Sequence, residues 1–311
     1  MFLALSARRL LAGLSVSLLV ALAVLLAPPS VAFAAPAFRL AVISERAGQP
    51  EFVVSQYAGL LTVLRRELAT RGIEVAELTI ARDVAEMRAL LAAGRVDAVL
   101  ESLLTSLRID RAGTLLDPAL AAWRKGRRET RTFFFVRNDS PVRSLADLAG
   151  RRLALESPRS TTAYALPRMV LRQHGLRIVV GDDAQRLPGA VRCVLVGAEI
   201  NQAYWVARGR ADAGAFNAED WEMLPVPLRG ELRVIHETDS ILRWIWSFRR
   251  GLTPGTRQAV EAALLRLHLD SAGARVLGKA GRIRRFDRID ADDARRIEAW
   301  RRSARAHGFG D

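Results

Sequence analysis

The sequence predicts an α/β protein of two lobes, each a mainly parallel sheet flanked by helices, with a ligand cleft between them. Three observations lead there. From residue 38 onward, apolar runs of strand length alternate with segments of helical periodicity, the pattern of βαβ units. The run Gly94-Arg95-Val96-Asp97-Ala98 recurs as Gly209-Arg210-Ala211-Asp212-Ala213, so two halves share one design. A break at Gly126 precedes the strand-like run Thr132-Phe133-Phe134-Phe135-Val136, a natural crossing point from one half to the other.

Residues 1–34 read as a leader. Arg8 and Arg9 precede an apolar stretch at 11–27, Pro28-Pro29-Ser30 breaks it, and Ala32-Phe33-Ala34 places small residues where a signal peptidase reads. An uncleaved anchor is the competing reading, but about 17 apolar residues is short for a bilayer span. No cysteine follows the apolar run, so a lipid anchor is not suggested. The expected product is a soluble, periplasmic protein.

The first lobe is expected at 35–131. It takes a strand at 38–43, a helix at 52–71 ending at Gly72, a strand at 73–80, a helix at 81–94 and a strand at 96–100. The second lobe is expected at 132–236. After strand 132–136, Ser144 caps a short helix with Asp147 at its third position, and Gly150 stops it. Strand 152–156, a helix headed by Ser160-Thr161-Thr162, strand 192–196, helix 199–209 and strand 213–216 follow, and 231–236 leads back. Residues 237–311 return to the first lobe, with 241–248 near the hinge and helices at 257–269 and 292–305 on that lobe. Closure is expected about 132–136 and 234–238. In Arg243-Trp244-Ile245-Trp246-Ser247-Phe248 one tryptophan is expected to line the cleft while the other packs in a lobe, the alternative being that these two and Trp221 are all core residues.

The composition excludes several chemistries. Cys193 stands alone in an apolar run, which rules out an internal disulfide framework and reads as a buried strand residue. The four histidines, at 174, 236, 268 and 307, are scattered, and no metal-ligand spacing, phosphate loop or nucleophile elbow is present, so neither a metal nor a cofactor is expected. The formal net charge of +14 comes from arginines spread through nearly every segment, with Lys125 and Lys279 the only lysines. That distribution and export argue against nucleic acid and leave a preference for anionic ligands or an anionic membrane surface.

Ser160-Thr161-Thr162 is the most informative triplet. Hydroxyl residues at a helix start stand beside backbone N–H groups that have no helical partner, which outlines a small anion site. Simple capping of the helix is the alternative.

These residues resemble the periplasmic phosphate/phosphite/phosphonate-type substrate-binding proteins of ABC transporters, within the type II periplasmic-binding fold. The resemblance spans roughly residues 38–300. It is carried by Val96-Asp97-Ala98, by 134–148, by Ser160-Thr161-Thr162 followed by Pro167, by the second Gly-x-x-Asp-Ala run, and by Asn217-Ala218-Glu219-Asp220. It implies that Ser160, Thr161 and Thr162 hold phosphoryl oxygens and that Glu219 meets the amino end of a zwitterionic ligand. The sequence departs from the family where Glu101 and Asp83-Val84 replace tyrosines and where Ala198 or Glu199 replaces a histidine. A carboxylate facing a phosphate repels it unless an arginine neutralises it or the ligand carries a cation. Arg159, Arg168 and Arg243 are the candidates for neutralisation, and Glu101 and Glu156 are either surface-loop or pocket carboxylates.

The expected function is capture of a small anionic (phosphonate- or phosphate-like) or zwitterionic ligand for delivery to an ABC transporter permease, by a monomer. A sensor protein presenting its closed form to a membrane histidine kinase is the alternative. An enzyme on the same fold lacks a visible nucleophile–base pair.

Export with cleavage makes a direct prediction: protein recovered from the periplasm should begin at Ala35. Intact-mass measurement checks this, and a full-length, membrane-retained species would overturn it.

Overall fold

The computed structural model describes residues 37–44, 49–181 and 187–308. The expected leader lies outside them. Among the described residues, no helix is long and apolar enough to cross a membrane.

The first lobe opens with β1 (Leu40–Ile43), α1 (Pro50–Ala69), β2 (Thr79–Ala81), α2 (Val84–Ala92), β3 (Ala98–Ser102), α3 (Leu103–Ile109) and β4 (Leu116–Arg124). Helix α1 buries Val53, Tyr57, Leu60, Leu61, Leu64 and Leu68, the stripe that 3.6-residue periodicity places on one face. A short strand β5 (Glu129–Thr130) lies on the way out.

The second lobe contains β6 (Thr132–Arg137), β7 (Arg152–Leu155), α4 (Leu166–Gln173), β8 (Ile178–Val180), β9 (Val191–Leu195), α5 (Glu199–Ala207), β10 (Ala213–Asn217), α6 (Ala218–Glu222), α7 (Val226–Gly230) and β11 (Leu232–Glu237). The chain returns through β12 (Ile241–Leu242) into β13 (Trp244–Arg249), α8 (Pro254–Arg266), α9 (Ser271–Lys279), β14 (Ile283–Arg288) and α10 (Ala291–His307). The expected capped helix after Ser144 is only a 3-10 turn at Ala146–Leu148. There Asp147 takes the N–H groups of Arg143 and Ser144, both at 2.9 Å, in place of a longer helix.

Two six-stranded sheets result, ordered β14-β4-β13-β3-β1-β2 and β11-β6-β10-β7-β9-β8. Parallel pairing joins β2-β1-β3 in the first and β10-β7-β9-β8 in the second. Antiparallel strands complete each sheet.

The repeated Gly-x-x-Asp-Ala run does the same work in both lobes. Gly94 and Gly209 adopt positive φ (64° and 67°) and turn the chain from helix to strand. Asp97 then accepts the Arg39 N–H at 3.0 Å, and Asp212 accepts the Arg152 N–H at 2.8 Å. These bonds set the register of β3 on β1 and of β10 on β7, with Ala98 opposite Leu40 and Ala213 opposite Leu153. Gly214 serves a separate need, since a β-carbon there would come within 2.4 Å of the Phe135 ring.

Three expectations are corrected. The runs 132–136 and 234–238 lie largely within β6 and β11, which pair with each other inside the second sheet, so they are not the pivot. The crossovers are 125–131 and 238–243, zipped together by β5 and β12. Second, Trp244 and Trp246 are both buried in the first lobe's core, because residues two apart on a strand face the same side. Trp221 packs on Phe133, Phe135 and Phe216 in the second lobe. Third, α10 does not rest on the first lobe alone. Ile297 and Ala304 join an apolar cluster that includes Leu103 and Leu107 of α3, Ile241 and Leu242 of β12, and Leu166 and Met169 of α4.

Ion pairs hold α10 to the crossovers. Arg128 grips Asp293 with both guanidinium nitrogens, one at 2.9 Å. Arg296 reaches Glu129 at 2.6 Å and the Ser240 carbonyl at 3.0 Å, so it spans both crossover strands. The Arg128 hydrogen bond holds the Asp293 carboxyl below its ordinary range.

A carboxylate depressed in this way stabilises the fold above the usual aspartate range, and the contribution is lost as pH falls through the depressed value. Asp293→Asn should therefore cost about 3 kcal/mol at neutral pH, because it leaves Arg128 without its main partner. It should also flatten the acid limb of the stability profile. Denaturant melts at pH 7 and pH 3 check both, and equal loss at the two values would exclude the ion pair as the cause.

Candidate ligand-binding cleft

Parallel strands deliver their carboxyl ends to one edge of each sheet, where α/β folds bind ligands. In the first lobe this edge is the end of β3. Glu101 is buried on that strand, and its carboxylate accepts the Ile43 N–H at 2.6 Å, tying β3 to the end of β1. Ser102 caps α3 by accepting the Thr105 N–H at 3.2 Å, and its hydroxyl bonds the Thr105 hydroxyl at 2.8 Å.

In the second lobe the equivalent edge carries four groups. After β7 come Glu156 and then Ser160, which caps the next helix by accepting the Ala163 N–H at 3.1 Å. That helix begins as a π-helical turn, Thr161–Ala165, and continues as α4. After β9, the Gly197 N–H donates to the Glu156 carbonyl at 3.0 Å, and Glu199 opens α5. After β10, Asn217 caps α6 by accepting the Asp220 N–H at 2.9 Å.

The two lobes meet at the Ser160-Thr161-Thr162 segment. The Thr161 hydroxyl hydrogen-bonds the Ser102 hydroxyl of the first lobe at 2.7 Å. The Thr162 hydroxyl accepts from the Asn217 amide at 3.3 Å, and its carbonyl accepts from the Thr132 hydroxyl at 2.8 Å. Ser102 and Asn217 each stand five residues after the register-setting aspartate of their lobe. Equivalent caps therefore converge on adjacent threonines.

The charged candidates are placed unevenly. Arg243 lies 3.0 Å from the Glu219 carboxylate, an ion pair without hydrogen-bond alignment, and Glu219 also accepts from the Thr130 hydroxyl at 3.1 Å. Both residues are buried at the crossovers, where Arg127 also approaches Glu219 at 3.6 Å. Arg159 is exposed in the loop before Ser160. Arg168 is buried beneath the helix, with its guanidinium on the Tyr164 hydroxyl at 2.6 Å and over the Tyr164 ring. Lys125, at the start of the first crossover, approaches Asp220 at 3.7 Å.

Glu156 and Glu199 are the exception, since among the described residues neither meets a cation at ion-pair distance. Burial pushes the Glu156 carboxyl up to about 7; a hydrogen bond from Ser160 pulls it down, while the neighbouring Glu199 and Asp220 carboxylates push it up. Glu101, buried on β3, is not a surface-loop carboxylate, while Glu156 stands half-buried in the loop after β7. Cys193 is buried on β9, where desolvation pushes its thiol up to about 12, as expected of a packing residue. Among the described residues, no group of three or more His, Cys, Asp or Glu side chains is arranged to hold a metal ion.

Sequence reasoning missed Ser102. Its signal was present in Ser102-Leu103-Leu104-Thr105, a hydroxyl cap directly after a buried strand. That this hydroxyl meets Thr161, 59 residues away, had no local sign.

A family model for the periplasmic substrate-binding proteins of phosphonate ABC transporters matches residues 47–294. Among solved structures, the chain is similar to XAC2383 from Xanthomonas citri bound to ATP, with a TM-score of 0.75 and 28% identity, covering 88% of this chain and 100% of that one. It shares its fold with a phosphonate-transporter binding protein from Pseudomonas aeruginosa, with a TM-score of 0.57 and 18% identity over 88% of this chain and 89% of that one. It also shares its fold with PhnD1 from Prochlorococcus marinus in complex with methylphosphonate, with a TM-score of 0.58 and 17% identity over 87% of this chain and 97% of that one. No curated protein sequence matches the chain.

The Glu156 carboxyl makes a stability prediction of definite sign. Between about pH 4.5 and 7 the native chain holds a proton that the unfolded chain has released, so stability falls as pH rises through that window. Glu156→Gln should therefore match wild type near pH 4 and exceed it at pH 8, by on the order of 1 kcal/mol after solvent screening. Thermal melts across the range check this; an advantage that does not grow with pH would mean the carboxyl is ionised throughout.

Proposed function

The chain belongs to the periplasmic substrate-binding proteins of phosphonate ABC transporters, and from that premise we propose that it captures a phosphonate- or phosphate-like group, on an anionic or zwitterionic ligand, between its lobes and delivers it to a membrane permease. The observation that carries this reading is the contact between Ser102 and Thr161, 2.7 Å, at the starts of helices from opposite lobes. A phosphoryl oxygen inserted there exchanges one neutral hydroxyl–hydroxyl bond for two charge-assisted ones. The N–H groups of Thr161 and Thr162, at the start of a helical run of 13 residues (161–173), have no preceding turn to bond and add donors of the right sign. Such a ligand touches both lobes at once, which favours the closed arrangement.

Thr161 and Thr162 are assigned the phosphoryl oxygens, with Ser102 facing them. Ser160 serves mainly as the helix cap, because its hydroxyl accepts the Ala163 N–H. Arg243 and Glu219 neutralise one another at the hinge, so Glu219 is a poor candidate for the amino end of a ligand. The cleft is read as a binding site and not a catalytic one, since the one thiol is buried and protonated. ATP bound to the Xanthomonas relative extends the ligands worth testing to phosphoryl groups on larger molecules.

Thr161→Ala and Thr162→Ala should each weaken methylphosphonate binding by roughly ten- to a hundredfold, the loss of one hydroxyl donor to a charged acceptor. Ser160→Ala should instead lower stability by about 1 kcal/mol and leave affinity nearly unchanged. Calorimetric titration of the folded variants decides it; unchanged affinity in both threonine variants would overturn the assignment.

A further inference from the structure

Among the described residues three arginines are buried, Arg168, Arg243 and Arg301. Arg243 lies 3.0 Å from the Glu219 carboxylate, and Arg301 lies 3.1 Å from that of Glu298. Arg168, only 5% exposed, meets no carboxylate of the described residues at ion-pair distance. One of its terminal nitrogens donates to the Tyr164 hydroxyl at 2.6 Å, and the guanidinium carbon lies 4.6 Å from the centre of the Tyr164 ring. Its Nε is buried and makes no hydrogen bond. A hydroxyl and a ring face soften the burial of a cation without neutralising it. The buried Cys193 thiol is protonated and supplies no counter-charge. A buried charge in this state is costly unless something compensates it.

Helix geometry says where that charge sits. Helical side chains lean toward the N-terminus, and Arg168 reaches back four residues to Tyr164, which belongs to the π-helical turn Thr161–Ala165. Adding the reach of a tyrosine ring and one helical turn to the 4.6 Å contact puts the guanidinium no further than roughly 13 Å from the Thr161 and Thr162 N–H groups. The space between is protein rather than water, since Ala163, Tyr164, Ala165 and Leu166 are all buried, so the charge is felt with little screening. The N–H groups at the helix start carry the same sign, so the helix does not compensate the arginine.

We propose that Arg168 is the fixed positive charge of the anion site: it sets the charge preference of the cleft without touching the ligand, and its counter-ion is the anion that arrives at Thr161 and Thr162. This rests on the phosphoryl reading given above and adds to it the residue that selects for charge. Of the three arginines singled out in the sequence, Arg243 is held by Glu219 and Arg159 is exposed to water, which leaves Arg168 as the one that is both buried and unpaired. The empty cleft carries the cost of its burial, and a bound anion relieves that cost.

At roughly 13 Å and an effective dielectric constant of about 20, the attraction amounts to about tenfold in affinity for each charge on the ligand. Removing the charge should therefore have two effects of opposite sign. Affinity for an anion falls, while the ligand-free protein keeps or gains stability, because an apolar side chain of similar length replaces an uncompensated buried cation. A residue whose only task is to pack against Tyr164 gives a different pattern, a loss of stability with affinity unchanged.

The experiment is calorimetric titration of methylphosphonate into wild type, Arg168→Met and Arg168→Lys, with thermal melts of each ligand-free protein. The expected result is a loss of about tenfold in Arg168→Met, affinity within about threefold of wild type in Arg168→Lys, which keeps the charge, and a melting temperature of Arg168→Met no lower than wild type. Equal affinity in wild type and Arg168→Met would overturn the role of Arg168 and leave the phosphoryl reading standing. Equal losses in the Met and Lys variants would overturn it as well, since shape and not charge would then be the cause. If methylphosphonate, inorganic phosphate and ATP all fail to bind wild type, the phosphoryl reading falls and this role falls with it. Should Arg168→Met fold poorly, Arg168→Gln, which keeps a donor for the Tyr164 hydroxyl, carries the same comparison against lysine.

Discussion

Two hydrogen bonds that aspartate side chains accept from strand backbones determine where everything in the cleft lies. Asp97 takes the N–H of Arg39 at the edge of β1, and Asp212 takes the N–H of Arg152 at the start of β7. Each aspartate also pairs its own backbone with the same neighbour, the Asp97 N–H on the Arg39 carbonyl and the Asp212 N–H on the Arg152 carbonyl. A one-residue slip of a strand would turn its buried face to solvent and move the following helix cap by about 3.3 Å. With the register held, Ser102 and Asn217 emerge at matching heights and reach Thr161 and Thr162. The cleft geometry is thus inherited from strand register rather than from loops.

The lobes are not joined only by two thin strands. The crossovers pair through β5 and β12, and α10 lies against them, bonded by Asp293 and Arg296 and buried by Ile297 and Ala304. The same helix reaches the first lobe, where Arg301 bonds the Asp110 carbonyl and Arg305 bonds the Arg111 carbonyl. It reaches the second lobe through Gln173 on Ser303 and Arg172 on the Gly308 carbonyl. A continuous apolar cluster on this side resists separation, because opening it exposes buried surface to water. The opposite side is closed by hydroxyl and ion-pair contacts such as Ser102 on Thr161 and Lys125 on Asp220, which water or a ligand can replace at little cost. Hinge motion should therefore open the hydroxyl side about the apolar one.

The formal net charge of +14 is a poor guide to this cleft. Arginines are consumed locally: Arg39 and Arg249 on Asp97, Arg257 and Arg288 on Glu261, Arg128 on Asp293, Arg243 on Glu219. At an ionic strength of about 0.15 M, charges beyond roughly 8 Å are largely screened, so the local set decides which ligand charge is tolerated.

The sequence by itself determined what depends on neighbours along the chain. Alternating periodicity specified β1, α1, β3, β10 and their helices; the repeated Gly-x-x-Asp-Ala run announced two lobes of one design; Ser160 was legible as a cap and Cys193 as a packed strand residue. Those features follow from backbone sterics, capping and burial, which act within a few residues. The short β2, reduced from the expected 73–80 to Thr79–Ala81, and the antiparallel strands β4 and β14 had no such local signature. Pairing of β13 between β3 and β4 joins residues more than a hundred positions apart. Only the tertiary structure decided that Trp244 and Trp246 face one core, that Glu219 is held by Arg243, and that Ser102 meets Thr161. Each of these is a contact between side chains brought together by sheet register and lobe packing, and the energy of a charge or hydroxyl is set by the partners and water around it, which no local stretch of sequence contains.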